Sequence, residues 1–179
     1  MKKIINFLTI TVICISFSTT LLALEKSISP IISVSKEIKT RLKTGSIVAI
    51  FLSGNDSLLT RIVEDSIAIQ LTNTGFTVIN RETLEKSIGE QVSKKKEEAG
   101  GAVNALEIGK AVNAGCILTG TVIIESGGEK LASVRTASFQ LVDVPSEKSL
   151  ISVVLESERG DSISELSKRF LDILTLNMK

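Results

Sequence analysis

The sequence predicts an α/β domain (α+β, on one mixed sheet), and three features predict it. A short, continuously apolar run, Ser46 to Ser53 (SIVAIFLS), is followed by an amphipathic stretch and by a second short apolar run, Phe76 to Asn80 (FTVIN). Strand, helix, strand over roughly thirty residues is a βαβ unit, whose strands are parallel and whose crossover is right-handed. The second half then reads as three long strands in an antiparallel meander, and a helix closes the chain. The predicted order is a βαβ unit, two helices, a three-stranded meander and a C-terminal helix, packed as a sandwich.

Each element has its own local reason. Ser29-Pro30 looks like a helix cap followed by proline at the first helical position, and Ile31, Val34, Ile38 and Leu42 recur at helical spacing up to Gly45, which predicts an amphipathic helix ahead of the domain. The unbroken apolar character of Ser46 to Ser53 fits a strand buried on both faces. Gly54-Asn55-Asp56 supplies a turn and a cap. Leu59, Ile62, Val63, Ile67 and Leu71 form the apolar stripe of the next helix, which Gly75 ends in a left-handed conformation.

Asn80 is placed to cap the following helix, with Glu82 in its first turn. Ser93 to Gly101 (SKKKEEAGG) reads as a fraying end and loop. Asn104 and Glu107 have capping-box spacing, and the short helix they begin runs to Gly115. Cys116 to Ser126 is a strand, Gly127-Gly128 a hairpin signal, and Glu129 to Val144 the partner strand. Pro145 to Lys148 turns the chain into a third strand, Ser149 to Glu158. Ser162 with Glu165 caps the last helix, whose stripe is Ile163, Leu166, Phe170, Ile173 and Leu174.

The N-terminus, MKKIINFLTITVICISFSTTLLALEKS, has two lysines and then an acid-free apolar run ending near Ala23. It reads as a secretory signal peptide over residues 1–23. The same run is long enough to span a bilayer, so an uncleaved anchor is the alternative. A third reading makes Cys14 a lipidated first residue, against which stands the bulky Ile13 before it. Residues 24–45 then hold the N-terminal helix and 46–179 the α/β domain. In each reading the domain is exported, to the periplasm and with an outer-membrane association as the further option.

Composition excludes several functions. Without Lys2 and Lys3, 21 − 2 = 19 basic residues face 20 acidic ones with no basic block, so nucleic acid has no electrostatic footprint. Histidine, tryptophan and tyrosine are absent, which removes the commonest general base and the stacking platforms used for sugars and bases. Zinc or copper would need clustered His and Cys. Cys116, the one thiol beyond Cys14, heads an apolar strand and reads as a packed core thiol rather than a nucleophile. Gly109-Lys110 lacks the Ser or Thr and the preceding strand of a phosphate loop, so Gly109 reads as a site of close helix packing. Gly120 inside a strand suggests a bulge or close backbone approach. No cofactor is expected, and the protein is not expected to be an enzyme.

Four stretches in this order, VAIFLSG, GFTVINRETLEKSIGEQ, EIGKAVNAGCILTGTV and FQLVDV, resemble the exported α/β domain of the CsgG/LpoB/FlgO-like family. The resemblance covers about Ser46 to Leu174. Its most specific part is Arg81, Leu84, Glu90 and Gln91, followed by Ile108-Gly109-Lys110 and Gly120. Where the family usually has an acid before the arginine and Gly-Ala-Asp before the strand, this chain has Asn80 and Asn113-Ala114-Gly115.

The resemblance implies a non-enzymatic cell-envelope accessory protein acting by protein–protein contact in assembly of a secretion, surface-fibre (curli) or flagellar structure. The alternative is an LpoB-like lipoprotein regulator of peptidoglycan synthesis. It also implies a structural role for the family-pattern residues, with Arg81 and Glu90 fixing the strand-to-helix junction. Every strand is needed for the sheet, which leaves no residues for the added hairpins of a CsgG-type pore. With Pro30 and Pro145 as the two prolines, a long Pro-rich tether of the LpoB kind is not expected. The expected partners are envelope proteins or a second copy, with membrane contact only through the leader or a lipid. The charged loop with Lys94, Lys95 and Lys96 is the candidate partner surface, since loops carry contacts while cores pack.

Overall fold

The structure, a computed structural model, describes residues 29–79, 83–86, 89, 105–125 and 132–179. Along the chain these form β1 (Ile31–Val34), α1 (Ile38–Arg41), β2 (Ile47–Gly54), α2 (Ser57–Asn73) and β3 (Thr77–Val78). A helical turn at 83–86 precedes α3 (Ala105–Ala111), β4 (Cys116–Glu125), β5 (Ser133–Asp143), β6 (Lys148–Asp161) and α4 (Ile163–Met178). Among the described residues the strands make one six-stranded sheet in the order β1-β6-β5-β4-β2-β3. β2 runs parallel to β3 and β4, and the remaining pairs are antiparallel. The expected mixed α/β sheet, with its βαβ unit, meander and closing helix, is the observed fold.

Strand alternation in β2 explains the layering. Val48, Ile50 and Leu52 enter the larger apolar cluster, whereas Ala49 and Phe51 point to a smaller one on the other face. The larger cluster joins the sheet to α2 through Val63, Ile67 and Leu71 and to α4 through Leu166, Phe170, Leu171 and Leu174. Phe139 of β5 meets Phe170 with ring centroids 4.7 Å apart at 48°. On the opposite face, among the described residues, Leu84, Ile108, Ala114 and Val144 pack on Ala49 of β2 and Ile117 of β4, with Val142 of β5 at the margin. Farther along that face Thr121, Ser138, Gln140 and Glu156 are exposed. The sheet is therefore wrapped on both sides at one end and on one side at the other.

The helix ends follow their capping residues. Asp56 caps α2 by accepting the Leu59 N–H at 2.9 Å, and Gly75 beyond its end takes φ +93°. At α4, Ser162 and Glu165 form a reciprocal capping box. Hydrogen bonds from the Ser162 side chain and backbone hold the Glu165 carboxyl below its usual pKa. At the end of β2, Asn55 continues the sheet with its side chain. Its amide nitrogen donates to the Ile124 carbonyl at 2.7 Å, and its oxygen accepts from the Ile124 N–H at 2.8 Å.

Several sequence expectations are corrected. Of the expected helix over 24–45, the described residues 29–45 do not form one amphipathic helix: Ile31–Val34 is a strand paired antiparallel with β6, and among them only Ile38–Arg41 is α-helical. The β-branched Ile31, Ile32 and Val34 find an open sheet edge, while Ile38 and Leu42 are the residues that reach the core, each 2% exposed. In α2 the buried stripe is Thr60, Val63, Glu64, Ile67 and Leu71, and Ile62 stands outside it, 44% exposed. The short helix α3 stops at Ala111, before Gly115, and Asn113 after it takes φ 53°. The third strand of the meander begins at Lys148 and extends to Asp161. The Gly127-Gly128 turn and the cap residues Asn80 and Asn104 lie outside the described residues.

Candidate functional site

Of the residues singled out from sequence, Leu84, Gly109 and Gly120 are described, whereas Cys14, Arg81, Glu90, Gln91, Lys94, Lys95 and Lys96 lie outside the described residues. Leu84 is 4% exposed in the smaller apolar cluster. Gly109 lies where α3 crosses β4: a Cβ there would come 2.9 Å from Val144 Cγ2 and 3.5 Å from Ile117 Cβ. At Gly120 an added Cβ would stand 1.9 Å from the Ser138 carbonyl oxygen, closer than atoms can approach. Gly120 and Ser138 lie on the paired strands β4 and β5.

Among the described residues, Cys116, Asp143 and Lys110 are each engaged in the fold. Cys116 is buried, and its thiol is pushed up from an ordinary 9.0 to about 12, first by burial and then by the neighbouring Asp143 charge. Asp143 itself accepts from the Ser146 N–H at 3.1 Å and from the Ser146 hydroxyl. Lys110, beside Gly109, pairs with Glu147. Among the described residues no three or more His, Cys, Asp or Glu are grouped to hold a metal. No helix among them is long and apolar enough to cross a membrane.

What the geometry does offer is a surface on α2. Leu58, Ile62 and Ile69 are 67%, 44% and 63% exposed, and at 100° per residue they fall with Asp65 on one narrow stripe of the helix. At its Asp65 and Ile69 end the stripe meets a cavity of about 410 Å³ between α2 and the β2–β3 edge. Ile50, Ala68, Ile69, Val78, Ile79 and Leu84 give it an apolar lining, and Glu64, Asp65, Thr72 and Asn73 supply its polar groups.

Beside the cavity, β3 is two residues long. It pairs with Ile47 and Val48, so β2 runs on past it, and Glu64 reaches down from α2 to accept the Leu52 N–H at 2.8 Å. One turn before Asp65, Arg61 pairs with Glu85 at 3.1 Å, tying α2 to the helical turn that carries Leu84.

The sequence held one sign of this surface. Apolar residues at 58, 59, 62, 63, 67, 69 and 71 occupy more of the helix circumference than one buried face needs. The cavity itself had no sequence signal, because Ile50, Val78, Ile79 and Leu84 join α2 in lining it from separate parts of the chain.

No family model matches the sequence, and no curated protein matches it. Among solved structures, the chain is similar to the PelC dodecamer of Paraburkholderia phytofirmans at 15% identity and TM-score 0.47, over 79% of this chain and 89% of that one. It is similar to the LpoB C-terminal domain of Salmonella enterica at 18% identity and TM-score 0.46, over 65% of this chain and 86% of that one. Lipoprotein GNA1162 of Neisseria meningitidis is similar at 17% identity and TM-score 0.44, over 75% of this chain and 97% of that one. Nothing in these comparisons supports the curli-assembly side of the sequence resemblance.

Proposed function

We propose that the protein is an exported envelope accessory protein that works by protein–protein contact, without catalysis of its own. The observation that carries this reading is the α2 stripe. Three large aliphatic side chains stand in water on one line of a helix whose other face is fully used by the core, and clustered apolar exposure of this kind is characteristic of contact surfaces. The apolar, lysine-led N-terminus supports export.

Of the two envelope systems that the motif resemblance suggests, the reading adopted is LpoB-like regulation of peptidoglycan synthesis rather than assembly of a fibre or flagellum. Residues 126–132 are all that join β4 to β5, a connection too short for a membrane-crossing hairpin, whose strands each need about 9–11 residues. The roles of Arg81 and Glu90 at the strand-to-helix junction, and of Lys94, Lys95 and Lys96 as a second contact patch, are proposed from sequence. Crosslinking in intact envelopes followed by affinity capture tests the function. Recovery of a peptidoglycan synthase is the expected result. A curli or flagellar component in its place would select the other system, and capture of the chain alone would overturn the contact reading.

A further inference from the structure

We propose that the α2 stripe and its cavity form a docking groove for an amphipathic helix of a partner protein that carries basic residues beside its apolar face. The inference rests on the contact reading above and adds the chemistry of the partner. Length argues for a helix: from Leu58 to Ile69 the α2 stripe extends about 16 Å at 1.5 Å per residue. A partner helix of three to four turns presents anchors at matching i, i+3, i+4 and i+7 positions. The cavity at the Ile69 end, about 410 Å³ with a mostly apolar lining, has room for more than one large apolar side chain from that helix.

Charge argues for the partner's sign. Among the described residues, the ionisable groups that line the cavity are the carboxylic Glu64 and Asp65, and the nearby Arg61 pairs with Glu85. Glu64 is 7% exposed and holds the Leu52 N–H, so Asp65, exposed on the stripe itself, is the group that meets an incoming charge. An acidic helix would set like charges against Asp65 in a partly desolvated groove, which is unfavourable, and a lysine or arginine beside the anchor reverses the sign. The Leu58 and Ile62 positions then bury against the partner's apolar face.

The test uses two fluorescent peptides of about four turns, with leucines at the i, i+3, i+4 and i+7 positions. One carries lysines elsewhere and the other glutamates. Fluorescence anisotropy with the full chain should show the lysine peptide binding about tenfold or more tightly than the glutamate peptide, with an affinity that falls as salt rises. Asp65→Lys should remove that preference, and Ile69→Ser should weaken binding of the lysine peptide. Asp172→Lys, a charge reversal of the same size at an exposed position of α4, should leave it unchanged, with folding of all three variants checked by circular dichroism.

Equal binding of both peptides overturns the proposal, and so does binding that Asp65→Lys and Asp172→Lys alter alike. Failure of both peptides to bind overturns it as well. Recovery of an envelope partner by crosslinking is a separate measurement, so a failed groove and a failed contact function are told apart.

Discussion

Single residues in this chain are fixed by what lies within a few ångströms of them. Gly120 is the sharpest case, since its missing Cβ would collide with the Ser138 carbonyl at 1.9 Å, a backbone atom that cannot swing away. Gly109 is milder: its nearest contact is a valine methyl at 2.9 Å, and alanine gains helix propensity there. Gly120→Ala should therefore cost on the order of 1–3 kcal/mol and Gly109→Ala clearly less. Urea denaturation of the two variants checks the order, and the reverse ranking would contradict the geometry.

Cys116 gives a pH signature. The folded protein holds the thiol protonated, with its pKa raised from 9.0 to about 12, while in the unfolded chain it ionises at its ordinary value. Its contribution to stability is therefore complete below about pH 9 and is lost as pH rises toward 12. Between pH 8 and 11 the urea midpoint of the wild type should fall faster than that of Cys116→Ala, in which this group is gone while the lysines still titrate. Parallel curves would show that the thiol is not shielded as described.

At the scale of elements, what could be read in the sequence was what is local. The capping box at Ser162, the Asp56 cap and the positive φ of Gly75 depend on residues within a few positions of one another. The βαβ unit and the meander followed from the change of apolar period. β1 escaped because its reason is distant: Ile31 pairs with Val154 of β6, and the helical spacing of Ile31, Val34, Ile38 and Leu42 was satisfied by two short elements of different kind. The α2 stripe was half legible, as a surplus of apolar residues whose surplus side could not be chosen without the sheet.

Asn55 shows a side chain acting as an element. β2 pairs with β4 as far as Gly54 opposite Val122, and the Asn55 amide then supplies one acceptor and one donor to Ile124, which a continued parallel strand would take from two of its residues. Ile124 is also where the β4–β5 register shifts, and just beyond it Arg135 turns its Nε to Glu125 at 2.7 Å. Asn55→Ala leaves the Ile124 N–H and carbonyl without this partner and should cost about 1–3 kcal/mol. Hydrogen exchange at the Ile124 amide should accelerate in the variant, and unchanged protection there would show that the side chain is dispensable.

At the scale of the whole molecule, the sheet has a thick side and a thin side, and neighbouring residues of one strand fall on opposite ones. Phe139 is 1% exposed and stacks against Phe170, while Gln140, next in the chain, faces outward opposite Thr119 and Ser152. That row, continued by Ser33 on β1, carries polar side chains across four strands and contributes little apolar burial. Removing a large buried aromatic costs roughly 3–5 kcal/mol, whereas an exposed polar substitution stays within about 0.5 kcal/mol. Phe139→Ala should therefore lower stability by most of a small domain's margin, and Gln140→Ala should leave the urea midpoint almost where it was. If Gln140→Ala proved the more damaging of the two, the polar row would be packed against something, and the assignment of α2 and α4 to the only thick face among the described residues would be wrong.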